Sequence, residues 1–425
     1  MRLRGRVVTP ERICPGEVRI EGDRIVSVVL NPEEDRAGDR DGDRTKDRAG
    51  GRDGGRGEGG GHLIVPGFVD IHSHGGGGHS FTSGEATAAR AAAGFHLRHG
   101  TTTMLASLIS APAERLRAAV EALAPLVAEG VLAGIHLEGP YLSLARRGAH
   151  DPAYLRDPSI AELTDLLRSG QGAVRMVTLA PERTGALEAV RLLVANQVVV
   201  AIGHTDASYE QTRAAIAAGA TVATHLSNAM PPVHHRAPGP VVALLEAPEV
   251  VCELIADGAH LHDGMLAFAA RTAGPARTAL VTDATAAAGM PDGAYDLGGR
   301  RVIVRGGVVR LAEPEGSPSA ERSPSVEGPP AAGRSPTAEG SPAAGDGPLA
   351  GSALTMDAAL RRAVGAGLSI VEAVQMAATT PARVLGLGDT LGALIPGLRA
   401  DLVELDPHLR VVRVVRAGTM VAGRG

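Results

Sequence analysis

Aromatic residues are nearly missing from this sequence, which has no tryptophan, four phenylalanines and four tyrosines in 425 residues. Hydrophobic residues still make up 44% of the chain, so its core must be built from aliphatic side chains. The chain is too long for one average domain and suits one large barrel with a small satellite domain.

Lysine is equally scarce, because Lys46 is the only one and it lies in a tract of charged residues and glycine. This disfavours every mechanism that needs a buried lysine, whether as a Schiff base, as the phosphate ligand of a glycine-rich loop, or as a carboxylated bridge between two metals.

Cysteine is limited to Cys14 and Cys252, which are too few for a disulfide framework and fit a reducing compartment. The formal net charge of -5 is small for this length and predicts neither nucleic acid nor an anionic membrane as a partner. The first residues lack the apolar run of a signal peptide, and no later run is long enough to span a bilayer. We therefore expect a soluble, cytoplasmic protein.

Two tracts of low complexity interrupt the chain. Residues 33–61 are mainly Asp, Arg and Gly, and residues 313–348 are rich in Ser-Pro, Ala and Gly, so we predict that both are disordered insertions. Residues 1–62 and 386–425, apart from the insertion at 33–61, contain short alternating strands, which we expect to pair into one small β-sandwich domain. Residues 63–385 then form the main domain.

The main domain alternates apolar runs of strand length with alanine-rich helical patterns. Eight strands with helical crossovers predict an α/β fold, namely a (β/α)8 TIM barrel, although a doubly wound open sheet would show the same alternation. The eight predicted strands are residues 63–72, 101–108, 131–138, 173–179, 197–203, 220–225, 250–256 and 278–283.

Side chains that can bind a metal or transfer a proton fall at the C-terminal ends of five of these strands. In a barrel these ends converge on one face, where the active sites of this fold are built, and this convergence favours the barrel over the open sheet. The residues concerned are His72, His74, Glu138, His204, His225 and Asp283.

Each of these residues has a purely structural alternative, as a hydrogen-bonded core histidine or a helix cap. His72 and His74 alternate along a strand, so they face one target together. Glu138 lies in an apolar run, where a buried carboxylate is costly unless it binds a metal or a cation. Together with His204 and His225 it predicts a metal site. Asp283 would then be the acid/base of a metal-assisted hydrolysis.

Several motifs resemble the amidohydrolase superfamily. Its opening and closing signatures are similar to Pro66-Gly-Phe-Val-Asp-Ile-His-Ser-His74 and Pro396-Gly-Leu-Arg-Ala-Asp-Leu-Val403. Within the superfamily, further motifs resemble those of the deacetylases of amino-sugar phosphates: His136-Leu-Glu-Gly-Pro140, Arg147-Gly-Ala-His150, Gly203-His-Thr205, Thr224-His-Leu-Ser-Asn-Ala-Met230, Asp257-Gly-Ala-His260, Val281-Thr-Asp-Ala-Thr285 and Leu349-Ala-Gly-Ser-Ala-Leu-Thr-Met356.

This resemblance implies hydrolysis of the N-acetyl group of N-acetylglucosamine 6-phosphate to glucosamine 6-phosphate and acetate. It implies that Glu138, His204 and His225 hold the main divalent ion and that Asp283 is the catalytic acid/base. Because His72 and His74 are both present, a second ion bridged by Glu138 is expected to be possible. Zinc is the first choice of metal, with iron, manganese or cobalt as alternatives.

The resemblance also implies a set of substrate-binding residues. His150 would polarise the amide carbonyl or anchor the sugar, and Arg236 and His260 would serve the phosphate and the sugar hydroxyls. Arg236 would reach into the neighbouring subunit of a homodimer. The full set is Ala149, His150, Asn228, Ala229, Arg236, His260, Leu349, Ala350 and Gly351.

Three alternatives to this function differ in how well they fit the sequence. A deacetylase for the galactosamine epimer is the runner-up, because motifs do not decide the orientation of one hydroxyl. Chemistry like that of dihydroorotase or urease is disfavoured by the missing lysine. A non-catalytic barrel should have lost its ligands, whereas this chain retains them.

Overall fold

The structure is a computed structural model, and it describes residues 1–31, 61–312 and 347–423. The two tracts predicted to be disordered, 33–61 and 313–348, lie outside the described residues except for residues 61, 347 and 348. Within the described ranges, no helix is long and apolar enough to cross a membrane.

The strands are numbered in chain order. They are β1 Arg2–Val8, β2 Ile13–Glu21, β3 Arg24–Leu30, β4 Leu63–Pro66, β5 Phe68–Asp70, β6 Gly75–Gly76, β7 His79–Ser80, β8 Thr101–Ile109, β9 Gly134–Glu138, β10 Val174–Leu179, β11 Val199–Ile202, β12 Val222–Ala223, β13 Val251–Ile255, β14 Thr278–Val281, β15 Gly293–Leu297, β16 Arg300–Arg305, β17 Val308–Leu311, β18 Leu402–Leu405, β19 Val411–Arg416 and β20 Thr419–Gly423.

The α-helices of the described residues are α1 Ala86–Arg98, α2 Ala113–Ala128, α3 Ile160–Gly170, α4 Ala186–Ala195, α5 Tyr209–Ala217, α6 Gly239–Glu246, α7 Asp263–Ala273, α8 Met356–Gly365, α9 Ile370–Val374 and α10 Thr380–Val384. The helical region after Met356 is interrupted: α8 ends at Gly365, and a π-helical turn, Gln375–Thr379, joins α9 to α10. Serine caps begin several of the helices; Ser208 before α5 forms a capping box with Gln211.

Eight parallel strands form the sheet at the centre of the molecule, in the order β14-β13-β12-β11-β10-β9-β8-β5. Helices α1 to α7 lie between successive strands or follow them in the chain, as a barrel of βα units requires. Most of the core residues are Val, Ile, Leu, Met and Ala, with Phe68, Phe81 and Tyr141 as the aromatic exceptions, which agrees with the largely aliphatic core expected from the composition.

The sheet closes on itself just beyond the ends of its two outermost strands, β5 and β14. The Asp283 backbone N–H donates to the His72 carbonyl at 2.8 Å, and the His74 N–H donates to the Ala284 carbonyl at 2.7 Å. Ser73 and Ala284 form a parallel bridge between these two segments. The predicted barrel is thus confirmed, and the open doubly wound sheet is excluded.

The strand predicted over residues 63–72 is wrong as a single element. Leu63–Pro66 form β4, which pairs with β1 and β18, whereas Phe68–Asp70 form β5 of the barrel. Gly67 separates the two strands at a point where a Cβ atom would lie 2.3 Å from Thr102 Oγ1. The chain therefore passes from one sheet to the other at a position where only glycine fits.

Strands from both ends of the chain form the seven-stranded sheet β20-β19-β18-β4-β1-β2-β3. It lies over an apolar cluster that includes Val7, Val18 and Val415. Pairing between the N- and C-terminal segments occurs as expected, while the division of the chain into two domains at residues 62/63 and 385/386 stays a prediction.

Candidate active site

Glu138 lies at the centre of the polar residues on the C-terminal face of the barrel. It is the last residue of β9 and is 3% exposed. One of its oxygens, Oε1, is 3.2 Å from His204 Nε2 and 3.1 Å from His225 Nε2. We call Glu138, His204 and His225 the first group; their ligand atoms lie within 4.8 Å of one another.

His204 and His225 both follow barrel strands, and both adopt left-handed backbone conformations, with φ of +48° and +29°. Such conformations are unfavourable for residues with a side chain, and they are often retained at functional sites. The preceding Gly203 permits close packing, because a Cβ atom there would lie 2.5 Å from the Cβ of Thr224. Local strain is therefore maintained where the two imidazoles turn toward Glu138.

The second group consists of His72, His74 and Asp283, whose ligand atoms also lie within 4.8 Å of one another. These residues come from the two segments that close the barrel. Asp283 Oδ1 is 3.6 Å from His72 Nε2 and 3.3 Å from His74 Nε2. Glu138 lies between the groups, with Oε1 3.3 Å from His72 Nε2 and Oε2 3.2 Å from His74 Nε2.

The hydrogen bonds of the imidazoles fit metal binding. His72 Nδ1 is 2.9 Å from a carboxylate oxygen of Glu253, while His74 Nδ1 and His204 Nδ1 lie 3.2 Å and 2.8 Å from backbone carbonyls. An oxygen of this kind only accepts, so each Nδ1 carries the hydrogen and leaves the Nε2 lone pair free. His72 Nε2 is buried without a hydrogen-bond partner among the described residues. Free Nε2 lone pairs beside carboxylates are the donors that divalent metals prefer.

The charges of the site also favour a cation. Burial lowers the pKa of His74, but its contacts with Asp283 and Glu138 outweigh burial and raise that pKa to about 9. Burial raises the pKa of Glu138, yet the neighbouring imidazoles of His72, His150, His204 and His225 lower it well below its usual range. The carboxylates thus stabilise positive charge at the centre, which protons or metal ions can supply.

His150 carries its hydrogen on the opposite nitrogen from the metal-facing histidines. The Ser110 backbone N–H donates to His150 Nδ1 at 3.3 Å, so Nδ1 is an acceptor and Nε2 bears the hydrogen. Burial, the largest influence, lowers the pKa of His150 to about 4, and the ring is neutral near pH 7. Its Nε2–H points to the cavity side of Glu138, 3.3 Å from Oε2. A neutral donor at this place suits a carbonyl oxygen.

The residues of the first group and Asp283 open into a cavity of about 350 Å³. This volume falls in the range of small-molecule sites, roughly 300–1,000 Å³. Of the predicted residues, the cavity lining contains His74, Glu138, Ala149, His150, His204, His225, Asn228, Ala229, His260, Asp283, Leu349 and Gly351. The structure therefore brings together residues that are more than two hundred positions apart.

Three predicted site residues do not line this cavity. His72 is fully buried behind the other ligands, and Ala350 packs into an apolar cluster with Val302 and Val309. Arg236 is exposed and donates to the neighbouring His235 Nε2 at 2.7 Å. A role for Arg236 in substrate binding within its own subunit is therefore not supported by its position.

His260 lies on the cavity wall beside Asp257. Its Nδ1 is 2.7 Å from Asp257 Oδ2. Burial lowers the pKa of His260, but the hydrogen bond to Asp257 outweighs burial and raises it. A histidine that favours its charged form on the wall of a cavity is suited to an anionic ligand.

Sequence reasoning missed three buried polar residues beneath the site. Glu253 on β13 contacts His72, and Asp70 on β5 accepts from the Thr282 hydroxyl at 2.6 Å. The ring of His136 packs edge-on against that of His72, with centroids 4.6 Å apart. One signal was available for Glu253, which interrupts the apolar run Val250-Val-Cys-Glu-Leu-Ile-Ala256 just as Glu138 interrupts its own strand.

A parallel barrel with two groups of histidine and carboxylate side chains at its C-terminal face is typical of one class of protein, the metal-dependent hydrolases. Residues 63–424 match the amidohydrolase family, and the chain belongs to that family.

Relatives of known activity cover most of the chain. N-acetylgalactosamine-6-phosphate deacetylase of Escherichia coli O157:H7 is 37% identical over 365 residues, or 85% of this chain and 88% of that protein. N-acetylglucosamine-6-phosphate deacetylase of Vibrio furnissii is 34% identical over 363 residues, or 84% of this chain and 82% of that protein.

Solved structures are similar over nearly the whole length. N-acetyl-D-glucosamine-6-phosphate deacetylase of Mycobacterium smegmatis is 41% identical with a TM-score of 0.82, covering 99% of this chain and 100% of that one. The N-acetylglucosamine-6-phosphate deacetylase of Thermotoga maritima is 30% identical with a TM-score of 0.79, covering 99% of each chain.

Proposed function

We propose that this protein hydrolyses the N-acetyl group of N-acetylglucosamine 6-phosphate to glucosamine 6-phosphate and acetate. One observation carries the proposal: the first group, Asp283 and His150 all open into a single cavity of about 350 Å³. The name of the Vibrio furnissii relative agrees with it, and a structure of the M. smegmatis enzyme is a complex with N-acetyl-D-glucosamine-6-phosphate, whereas the E. coli relative is named for the galactosamine epimer.

The first group would hold the main divalent ion through Glu138, His204 and His225. His72, His74 and Asp283 would hold a second ion, with Glu138 between the two. Zinc is the metal we propose, since imidazole nitrogens and carboxylate oxygens are its usual ligands. When bound, such an ion polarises a carbonyl group and makes water acidic enough to lose a proton near pH 7.

Asp283 would act as the acid/base of the reaction. Burial raises its pKa, but the neighbouring His72 and His74 lower it well below its usual range, so Asp283 is an ionised carboxylate, the form that a general base requires. Asp283 would remove a proton from the attacking water as the new C–O bond forms. It would then pass that proton to the amide nitrogen as the C–N bond breaks, so that acetate and the free amine leave.

His150 would donate its Nε2–H to the carbonyl oxygen of the substrate, where negative charge develops in the transition state. Asn228, Ala229, Leu349 and Gly351 share the cavity and would contact the sugar. Gly351 packs tightly against the backbone of Asp283, because a Cβ atom at position 351 would lie 2.9 Å from the Asp283 carbonyl oxygen. No residue with a side chain could bring this segment so near to the acid/base.

The phosphate would be bound by His260 and by Arg236 of a second subunit. The described residues that line the cavity include one arginine, Arg146, but its guanidinium pairs with Asp206 at 2.8 Å. A phosphate dianion therefore needs a further cation, and the exposed Arg236 is free to reach a neighbouring copy. A homodimer follows from this proposal. We also propose a cytoplasmic location, which fits the free, buried Cys14 and Cys252.

The substrate is tested by measuring acetate release from N-acetylglucosamine 6-phosphate, N-acetylgalactosamine 6-phosphate and unphosphorylated N-acetylglucosamine. We expect the highest kcat/KM for the first compound and the lowest for the third. A higher kcat/KM for the galactosamine epimer would establish the activity named for the E. coli relative instead. If the metal-loaded protein released acetate from none of them, the proposal would be wrong.

The exchange of Arg236 between subunits is tested by mixing two inactive variants. Asp283→Asn lacks the acid/base, and Arg236→Ala lacks the cation that would enter the other subunit. In a mixed dimer, one site has Asp283 in its own chain and Arg236 from its neighbour, so activity should reappear when the two proteins are dissociated and reassociated together. Re-mixing each variant with itself is the control. If Arg236 served its own subunit, mixing would restore nothing.

A further inference from the structure

Glu253 is a fully buried carboxylate near the centre of the barrel that the proposed reaction does not use. It lies on β13, is 0% exposed, and is not in the lining of the cavity that the described residues form. A buried charge without a compensating partner is costly, so its contacts should explain why it is there. Its partners turn out to be one residue from each of the two groups.

A single oxygen of Glu253 makes both contacts. Oε2 accepts a hydrogen bond from His72 Nδ1 at 2.9 Å and another from the backbone N–H of His225 at 3.1 Å. The second oxygen, Oε1, is buried and has no partner among the described residues. All of the directional bonding of this side chain is therefore concentrated on the atom that orients His72.

The bond to Glu253 determines which nitrogen of His72 can bind a metal. A carboxylate oxygen can only accept, so Nδ1 of His72 keeps its hydrogen and Nε2 presents a lone pair. That lone pair faces Glu138 Oε1 at 3.3 Å and Asp283 Oδ1 at 3.6 Å. Without the carboxylate, the ring could hold its hydrogen on Nε2 and would then have no lone pair for a metal in the second group.

His72 is distinguished from the other metal-facing histidines by the charge of its partner. His74 and His204 donate to neutral backbone carbonyls, of Ser107 and Arg146, whereas His72 donates to a carboxylate. A hydrogen bond to an ionised acceptor is stronger and makes the imidazole a better ligand. The second group therefore depends on a side chain that substitution can remove.

We propose that Glu253 is a positioning residue that fixes the tautomer of His72 and thereby controls whether the second group holds a metal ion. This inference rests on the proposed metal-dependent function. It goes beyond that function because it makes the occupancy of one of the two groups depend on a residue outside both.

The first group should depend on the Glu253 side chain much less. Its ligand His225 is held next to β13 by a second bond, in which the Leu226 N–H donates to the backbone carbonyl of Glu253 at 2.9 Å. That bond survives any substitution of the side chain. Glu138 and His204 make no hydrogen bond with Glu253 among the described residues. Loss of the Glu253 side chain should therefore weaken metal binding in the second group much more than in the first.

The test is a calorimetric titration of Zn²⁺ into the full-length, metal-free protein, for the wild type, Glu253→Gln and Glu253→Leu. Glutamine retains an acceptor oxygen but loses the charge, and leucine loses both at similar volume. We expect the second ion to bind about 10-fold more weakly in Glu253→Gln and about 100-fold more weakly in Glu253→Leu, with the first ion changed by less than about threefold. The NMR signals of ¹⁵N-labelled histidine should show loss of the Nδ1–H form of His72.

Two controls separate this role from a general effect on the fold. Asp357→Asn removes another buried carboxylate, which pairs with His99 and Arg361 far along the chain from the groups, and should leave both Zn²⁺ affinities unchanged. In a His72→Gln background, Glu253→Gln should have no further effect on Zn²⁺ binding, because the residue through which Glu253 acts is missing.

Equal binding of two ions in wild type and Glu253→Leu would overturn the inference, and so would equal weakening of both ions. Because these titrations contain no substrate, they stand apart from the proposed reaction. A protein that binds Zn²⁺ as expected but releases no acetate would refute the deacetylase function and leave the role of Glu253 intact.

Discussion

The two groups of metal-binding residues differ in how the fold assembles them. The first group lies on β9 and just after β11 and β12, which are interior strands of one continuous sheet. The second group spans the seam where the segments after β5 and β14 close the barrel. All three residues of the first group open into the cavity, whereas in the second group His74 and Asp283 line it and His72 lies buried behind it. This contrast suggests that the first group is the centre of the chemistry and that the second supports it.

The largest difference between the groups should appear when one histidine is removed from each. We expect His204→Gln to abolish acetate release, because His204 faces both the cavity and Glu138. His72→Gln should retain one bound ion and measurable turnover, since His72 does not line the cavity. Metal content by mass spectrometry and acetate release are measured on the same samples. Equal loss of activity in both variants would contradict the contrast between the groups.

Asp283 belongs to the second group but also lines the cavity. Its substitution therefore tests whether the loss of activity depends on lining the cavity or on belonging to the first group. Asp283→Asn should lower kcat by about 10³-fold, the usual scale for loss of a general acid/base. Because Glu138, His204 and His225 are unchanged, the first ion should still bind. A variant that kept wild-type kcat with intact metal content would remove Asp283 from the mechanism.

His150 should have the next smaller effect, because it orients and polarises the substrate without binding a metal. His150→Asn should reduce kcat by about 100-fold, in line with the removal of one oxyanion donor. Metal content should not change. The matched control is Ser110→Ala, which removes the hydroxyl contact at 2.9 Å but leaves the Ser110 N–H bond that sets the tautomer, and should cost much less. If His150→Asn instead lost an ion, His150 would be a ligand.

The smallest predicted effect concerns stability around the second group. His96 Nε2 donates to the carbonyl of Gly75, which follows His74, and burial lowers the pKa of His96 to about 4. Between pH 6.5 and 4 the unfolded chain binds a proton at this residue and the native state does not, so the free energy of unfolding falls as the pH falls, by up to about 3 kcal/mol. The opposing contribution of Asp70, whose pKa burial raises to about 6, is common to all variants.

His96→Gln should therefore show a shallower loss of stability between pH 6.5 and 4 than the wild type, measured by urea unfolding at each pH. His79→Gln, at an exposed position, is the control and should follow the wild type. Identical pH slopes for wild type and His96→Gln would mean that His96 does not remain neutral in the native state.

Much of the first group could be predicted from the sequence because each ligand ends an apolar run. Glu138 is confirmed as the last residue of its strand, and His204, His225 and Asp283 follow their strands closely. The contacts between the two groups were harder to predict. The predicted barrel brings residues 72 and 283 to one face, but the sequence does not show that they come into direct contact, since that contact exists only where the sheet closes. Arg236 was predicted from resemblance alone, and in a single subunit it is exposed and lies outside the cavity lining.

By itself, the sequence determined the kind of core, the order of strands and helices, and the residues able to bind a metal, because these follow from local periodicity and residue chemistry. Only the tertiary structure decided the division of residues 63–72 between two sheets, the opposite tautomers of His72 and His150, and the position of Glu253 beneath both groups. The physical reason is that a tautomer depends on the partner of each nitrogen, and these partners come from distant strands that meet only in the closed barrel.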